Sequence, residues 1–166
     1  MSEKSQQEAI KVLTDLGVEI ILDNLVKDYD GDRVYLSSGI TLSAATLIWT
    51  SGVIARAVEG LPESAVGKGR RLLVNEYNQL LDYEDIFAIG DQCLQITDGK
   101  FPGVHPQLAQ VAIQQGSHLA KNFSRVVNGE EMVPFAYRDK GSMAIIAKFR
   151  AVVNLPKGSF KGFLPG

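Results

Sequence analysis

The chain has 166 residues, 45% of them hydrophobic and 22% charged, with 17 basic and 19 acidic side chains and a formal net charge of −2. This balance excludes a disordered polymer and a membrane-embedded bundle; the length suits one domain, or parts of two, with roughly two-thirds of the surface buried on folding. The single cysteine, Cys93, excludes an intrachain disulfide and a CxxC metal or dithiol site, and is read as small buried filler.

The charge is unevenly spread. Residues 1–91 carry 8 basic and 15 acidic side chains, whereas residues 92–166 carry 9 and 4. From Arg138 onward, Arg138, Lys140, Lys148, Arg150, Lys157 and Lys161 face the single acid Asp139, with Phe149, Phe160 and Phe163 between them. Such a tail can approach an anionic lipid surface, at about 1 kcal/mol per basic residue near the headgroups; it can equally be a solvated basic face, and composition leaves both open. No nucleic-acid partner is expected. The N-terminus, MSEKSQQEAIKVL, lacks a basic stretch followed by an apolar run, so it is no secretory signal and a cytoplasmic location is the expectation.

In chain order, SEKSQQEAIKVLTDLG predicts a helix capped by Ser2, with an apolar stripe at Ala9, Ile10, Val12, Leu13 and Leu16 and a stop at Gly17. VEIILDN predicts a short strand, LVKDYDGDRVYLSSG a hairpin turning at Asp30-Gly31-Asp32, and the apolar ATLIW a buried strand. Residues 53–71, rich in glycine and out of apolar register, read as a linker. RLLVNEYNQLL then supplies a strand and a turn, and DIFAIGD a second buried strand ending at Gly90-Asp91.

That ending carries chemistry. Ligands of open α/β sheets bind beyond the carboxyl ends of strands, where a glycine admits close approach and a carboxylate can accept hydrogen bonds from ribose-like hydroxyls. The plainer account is that Gly90 opens a tight turn and Asp91 caps the next segment. A helix over about 106–123 starts at Pro106, a residue favoured at the first helical position. Leu108, Val111, Ala112, Leu119 and Phe123 form its apolar stripe, and Gln110, Gln114 and Lys121 a polar one on nearly the opposite side. Two neutral amides one turn apart can hold a flat ligand with carbonyl and N–H edges, such as a flavin or a quinone. Gln115 points elsewhere. His105 and His118 have neither a second histidine nor a carboxylate cluster beside them, so neither is assigned a metal or a catalytic role.

LIWTSGV (47–53), DIFAIGD (85–91), AQVAIQQG (109–116) followed by LAKN, and GSMAIIAKFRAV followed by FKGF together resemble the C-terminal part of the type II NADH:quinone oxidoreductases. These belong to the pyridine nucleotide-disulfide oxidoreductase superfamily of flavoproteins, and the likeness spans nearly the whole chain. The Gly-Asp strand is shared by the wider superfamily; the glutamine-rich helix with the later GSMAII is more specific.

The resemblance implies an α/β, partial two-dinucleotide-binding-domain flavoprotein fold. Residues 1–60 would be the second half of the NADH-binding domain, 61–137 the returning segment of the FAD-binding domain, and 138–166 a basic strand and tail. Gly90 and Asp91 would meet the ribityl chain of FAD, Ala109 and Gln110 would lie beside the isoalloxazine ring, and Gln110 and Gln114 would line the quinone pocket. Thr50, Ser51 and Gly52 would pass near the nicotinamide. Lys140 and Gly141 would lie near the flavin or quinone entrance, although Lys140 reads more plainly as an exposed turn. The implied location is peripheral to the inner face of the cell membrane.

The departures matter equally. No GxGxxG occurs, so both phosphate-binding turns are missing; GKGRR and GDRVYLSSG have the wrong spacing. The expectation is a fragment that neither retains FAD nor oxidises NADH by itself, and that pairs with another copy to cover an exposed sheet edge. Two alternatives stay open: a flavoprotein with a disulfide, sulfide or ferredoxin acceptor, and a non-enzymatic membrane-peripheral module. The lone Cys93 argues against a dithiol acceptor within this region.

Overall fold

A computed structural model describes residues 2–56, 58–101, 103–148, 150–155 and 158–163. In chain order the elements are α1 (Glu3–Asp15), β1 (Val26–Tyr29), β2 (Arg33–Leu36), β3 (Thr41–Ser43), β4 (Leu72–Val74), β5 (Cys93–Gln95), α2 (Ala109–Val127), β6 (Ser142–Ala147), β7 (Arg150–Leu155) and β8 (Gly158–Phe163). They fall into two compact units, Met1–Ser51 with Lys140–Gly166, and Gly52–Asp139. Of the basic tail, Phe149 and Lys157 lie outside the described residues, as do the side chains of Phe160, Lys161 and Phe163.

In the first unit, α1 begins as expected: Ser2 is extended and its hydroxyl accepts the Ser5 N–H at 3.3 Å, satisfying one of the first-turn donors that have no partner within the helix. It stops at Gly17, whose φ of 80° would strain a residue bearing a Cβ. β1, β2 and β3 form an antiparallel sheet. Its first turn is the expected one: Asp30 Oδ1 accepts the N–H groups of Asp32 and Arg33 at 2.9 and 2.7 Å, and its Oδ2 accepts the Tyr35 hydroxyl at 2.7 Å. β6, β7 and β8 form a second antiparallel sheet. Asn154 of β7 ties it to α1, its Oδ1 accepting from Ser2 N at 3.1 Å and Ser5 Oγ at 2.9 Å.

The second unit is built on a parallel pair, β4 with β5, in the register Leu72↔Cys93 and Val74↔Gln95. Leu72, Val74, Leu80, Ala65, Ala88 and Cys93 close into its core. α2 buries Val111, Gln115, Leu119 and Asn122, a stripe spaced by four, four and three residues. Fully burying a Val or Leu side chain stabilises by about 2 kcal/mol, so Val111 and Leu119 anchor the helix and the two amides must be hydrogen-bonded.

Several expected elements differ. VEIILDN and ATLIW are not strands; Ile48 and Trp49 are 80% and 60% exposed. Apolar content alone does not make a strand, which exists only as part of a ladder, and no described strand pairs with either segment. DIFAIGD touches a ladder only through the single bridge Gln79↔Phe87; Gly90–Gln92 is a 3-10 turn leading into β5, so the strand follows Gly-Asp instead of ending there. α2 starts at Ala109, not Pro106, because Leu108 is extended (φ −132°, ψ 143°) and its N–H turns back to Pro106 O at 2.9 Å.

Candidate functional site

Gly90 has a φ of 64°, and a Cβ placed on it would lie 3.1 Å from the Ala112 Cβ. The glycine thus serves two needs at once: a left-handed backbone and room for α2 to close on the turn. Its buried N–H donates to Gln115 Oε1 at 2.7 Å. Gln115 is completely buried and its Nε2 lies 3.3 Å from Cys93 Sγ. The residue set aside on helical-wheel grounds is therefore the one that fastens the Gly-Asp turn to α2. The spacing Val111-Gln115-Leu119 was the signal for it.

Next to this buried link, Asp91 is exposed and its backbone O accepts from Gln107 Nε2 at 3.3 Å. The N-terminus of α2 begins beside it. The N-cap is Leu108, which has no side-chain oxygen to offer, and Ala109 in the first turn is exposed. With no side-chain cap at Leu108, the positive end of the helix dipole makes this a place that favours negative charge. Gln110 is half-buried on the same turn. Gly52 is exposed, with a φ of 75° and open space around the position of an added Cβ.

Along α2, Gln114 grips the backbone of Arg138 in both directions, donating to its O at 3.0 Å and accepting its N–H at 3.1 Å. Two turns on, Asn122 does the same to Val133, at 2.9 Å each way. His118 lies between them, with Nε2 2.7 Å from Val133 O. Residues 133–138 form an extended strap whose alternate side chains Phe135 and Tyr137 are buried. The side-chain amides of one helix stripe do for the strap what a neighbouring strand does in a sheet.

Asp98 holds the strap from the other side. Its Oδ2 accepts the Tyr137 N–H at 2.7 Å and faces His105 Nε2 at 2.9 Å, while its Oδ1 accepts the Lys100 N–H at 2.8 Å. Burial alone would push this carboxyl up; the Tyr137 and Lys100 amides and the His105 ring together outweigh it and hold it below the ordinary carboxylate range. His105 is 1% exposed and ringed edge-on by Phe101 and Phe135. Its carbonyl accepts from Arg71 Nη2 at 3.2 Å, and Arg71 Nε donates to Cys93 O at 2.7 Å. The carboxylate partner that the sequence reading denied His105 is seven residues upstream, with neither residue in a helix or strand whose period would have paired them. Burial raises the Cys93 thiol, against the opposing effects of Gln115, Arg71 and Asn78. Among the described residues no group of three or more His, Cys, Asp or Glu could hold a metal ion, and no helix is long and apolar enough to cross a membrane.

Solved structures share this architecture. NDH2 from Plasmodium falciparum in complex with NADH matches with a TM-score of 0.82 and 16% identity, over 97% of this chain and 48% of that one. The sulfide:quinone oxidoreductase of Aquifex aeolicus matches with a TM-score of 0.70 and 16% identity, over 96% and 40%. The fold is thus the mixed helix-and-sheet arrangement of these proteins. The sequence model for pyridine nucleotide-disulphide oxidoreductases matches residues 1–116, and the chain belongs to that family. Among curated relatives, the type II NADH:quinone oxidoreductase of Staphylococcus aureus is 32% identical, over 91% of this chain and 38% of its own length. The mitochondrial internal alternative NAD(P)H-ubiquinone oxidoreductase A1 of Arabidopsis thaliana is 29% identical, over 98% and 35%. The relatives are oxidoreductase enzymes, and the chain spans little more than a third of their length.

Proposed function

We propose that the chain forms the flavin-facing, acceptor-side part of an FAD-dependent NADH:quinone oxidoreductase. The observation that carries this reading is one juxtaposition: the left-handed Gly90 turn presents the exposed Asp91 beside the uncapped N-terminus of α2. The residues present fit the ring and ribityl side of a flavin, and no phosphate-binding glycine turn accompanies them. FAD, when bound, would supply hydride acceptance from NADH and two-electron transfer to a quinone.

The chain's own residues have separable tasks. Asp91 would accept hydrogen bonds from the ribityl hydroxyls. Gly90, its Cβ space taken by Ala112, brings α2 against the turn that carries Asp91. Ala109 and Gln110 would place the positive end of α2 beside the ring, favouring negative charge there. Gln110 and Gln114 would border the quinone pocket, Gln114 with its amide held by Arg138. Gly52 would allow close approach on the nicotinamide side. We assign residues 1–60 to the NADH side, 61–137 to the FAD side, and 138–166 to a basic strand and tail directed at the membrane surface. The same reading includes a peripheral location at the inner face of the cell membrane.

The polypeptide that carries these residues in the cell should oxidise NADH with a quinone as acceptor. Gln110→Leu should cut quinone turnover about tenfold, the worth of one lost hydrogen bond of about 1.4 kcal/mol, while leaving NADH:ferricyanide turnover unchanged. An equal loss with both acceptors, or no NADH oxidation at all, refutes the assignment. The chain alone should bind no FAD, so a flavin absorbance band on the purified chain would contradict the reading of its missing glycine turns. It should also self-associate, given exposed side chains such as Leu25, Ile48 and Trp49; a monomer mass by light scattering would refute that.

A further inference from the structure

We propose that Asp98 is a positioning residue that couples the loop entering α2 to the strap leaving it, acting through His105 on one side and Tyr137 on the other. The three acceptor contacts of its carboxylate divide between two segments. Lys100 N–H and His105 Nε2 belong to residues 98–101 and 103–105, which precede α2; Tyr137 N–H belongs to the strap 133–138. The two segments are 39 residues apart at the Asp98–Tyr137 bond. One oxygen, Oδ2, serves both, so Asp98 cannot move with its own segment without Tyr137 losing its acceptor, and the strap cannot leave without Oδ2 losing one of its two donors.

The surroundings favour a fixed carboxylate over a mobile one. Phe101, Phe135 and Tyr137 pack around the His105 ring with centroids 5.5, 5.6 and 5.5 Å away. A buried charge in such a shell persists only when hydrogen-bonded, and here each partner is a donor fixed by the backbone or by ring packing. Because Asp98 can only accept, it sets His105 with its proton on Nε2. The His105 carbonyl, held by Arg71, then fixes the backbone immediately ahead of Pro106. At the far end of the strap, Gln114 clamps Arg138, so the position of Tyr137 is transmitted back to α2 one turn beyond Gln110. The functional consequence, orientation of Ala109 and Gln110, rests on the flavin-facing reading above; the coupling itself does not.

The test is amide hydrogen exchange by NMR on the chain as it is, so failure of the flavin reading would leave its result unaffected. Asp98→Asn keeps size and one carbonyl but loses the charge and turns an N–H₂ toward at least one of the three donors. It should speed exchange at Lys100, Tyr137 and Arg138 about tenfold or more, while the Val111–Leu119 amides stay within about twofold, as expected for local opening. His105→Gln, which can still donate to Asp98, should preserve Tyr137 protection, and His105→Ala should lose it. The proton on His105 Nε2 should give a one-bond correlation in wild type that is lost in Asp98→Asn. Unchanged protection at Tyr137 in Asp98→Asn, a uniform loss across α2 and strap alike, or identical behaviour of His105→Gln and His105→Ala would overturn the proposal.

Discussion

Gln115 Oε1 accepts the backbone N–H of Gly90 at 2.7 Å in the fully buried interior. A helix side chain therefore completes the hydrogen bonding of a turn 25 residues earlier and ties α2 to it. Gln115→Leu keeps the volume but leaves the Gly90 N–H buried without a partner. The expected loss is about 1–3 kcal/mol, read as a lower midpoint in urea unfolding with an unchanged slope.

Gly90→Ala meets two obstacles, a left-handed φ and a Cβ at 3.1 Å from Ala112. The substitution should cost about 1–3 kcal/mol. Adding Ala112→Gly should recover the steric part alone, after allowance for the cost of glycine within a helix of about 1 kcal/mol. A double-mutant cycle by urea unfolding checks this: zero coupling between the two positions would mean that the helix already stands clear of the turn.

Asp98 gives the acid limb of stability a specific contributor. Its carboxyl is held below the ordinary range in the folded protein, so its stabilising effect is fully present above the unfolded value near 3.9 and disappears as pH falls through the lower folded value. The stability difference between wild type and Asp98→Asn should therefore be constant from pH 7 to about 5 and shrink below about 4. Urea unfolding of both proteins along that pH series measures it, and a gap that widened on acidification would contradict the assignment.

Cys93 is 1% exposed and its thiol is raised by burial. A thiol reagent at about pH 8 should label it only through opening of the structure, and rapidly once urea unfolds the chain. Gln115→Ala, which removes the neighbour 3.3 Å from Sγ, should speed native-state labelling. Immediate labelling of the wild type would show that the thiol is open to solvent.

How much of this was legible in the sequence depended on whether the signal was local. Ser2 and Gly17 bracket α1, and Asp30-Gly31-Asp32 turns the first hairpin, because caps and turns are set by residues within a few positions. The body of α2 followed from its spacing, but its start did not: Pro106 is a good first residue, and the extended Leu108 overrode it. VEIILDN and ATLIW show the limit of apolar content, which says what prefers burial and not which strand will be beside it. Gln115 was readable from its place four residues from both Val111 and Leu119, yet it was set aside because it points away from the Gln110 and Gln114 stripe. The strap was marked by the alternation Val133, Phe135, Tyr137, but apart from the Glu76 carbonyl, which accepts the Phe135 N–H, its partners are side chains, and the Asp98–His105 pair lies outside any helix or strand. Pairings of that kind are written only in three dimensions.

The side-chain grip on residues 133–138 has an evolutionary corollary. A strand can slip past its neighbour and find an equivalent ladder, but a strap read by Gln114, Asn122 and Asp98 has one permissible alignment. Inserting or deleting a single residue between Val133 and Arg138 would make the contacts at its two ends impossible to satisfy together, whereas the exposed turn at 128–131 makes no contact with Gln114, Asn122 or Asp98. Descendants of this gene should accordingly vary in length before Val133 and hold their count after it.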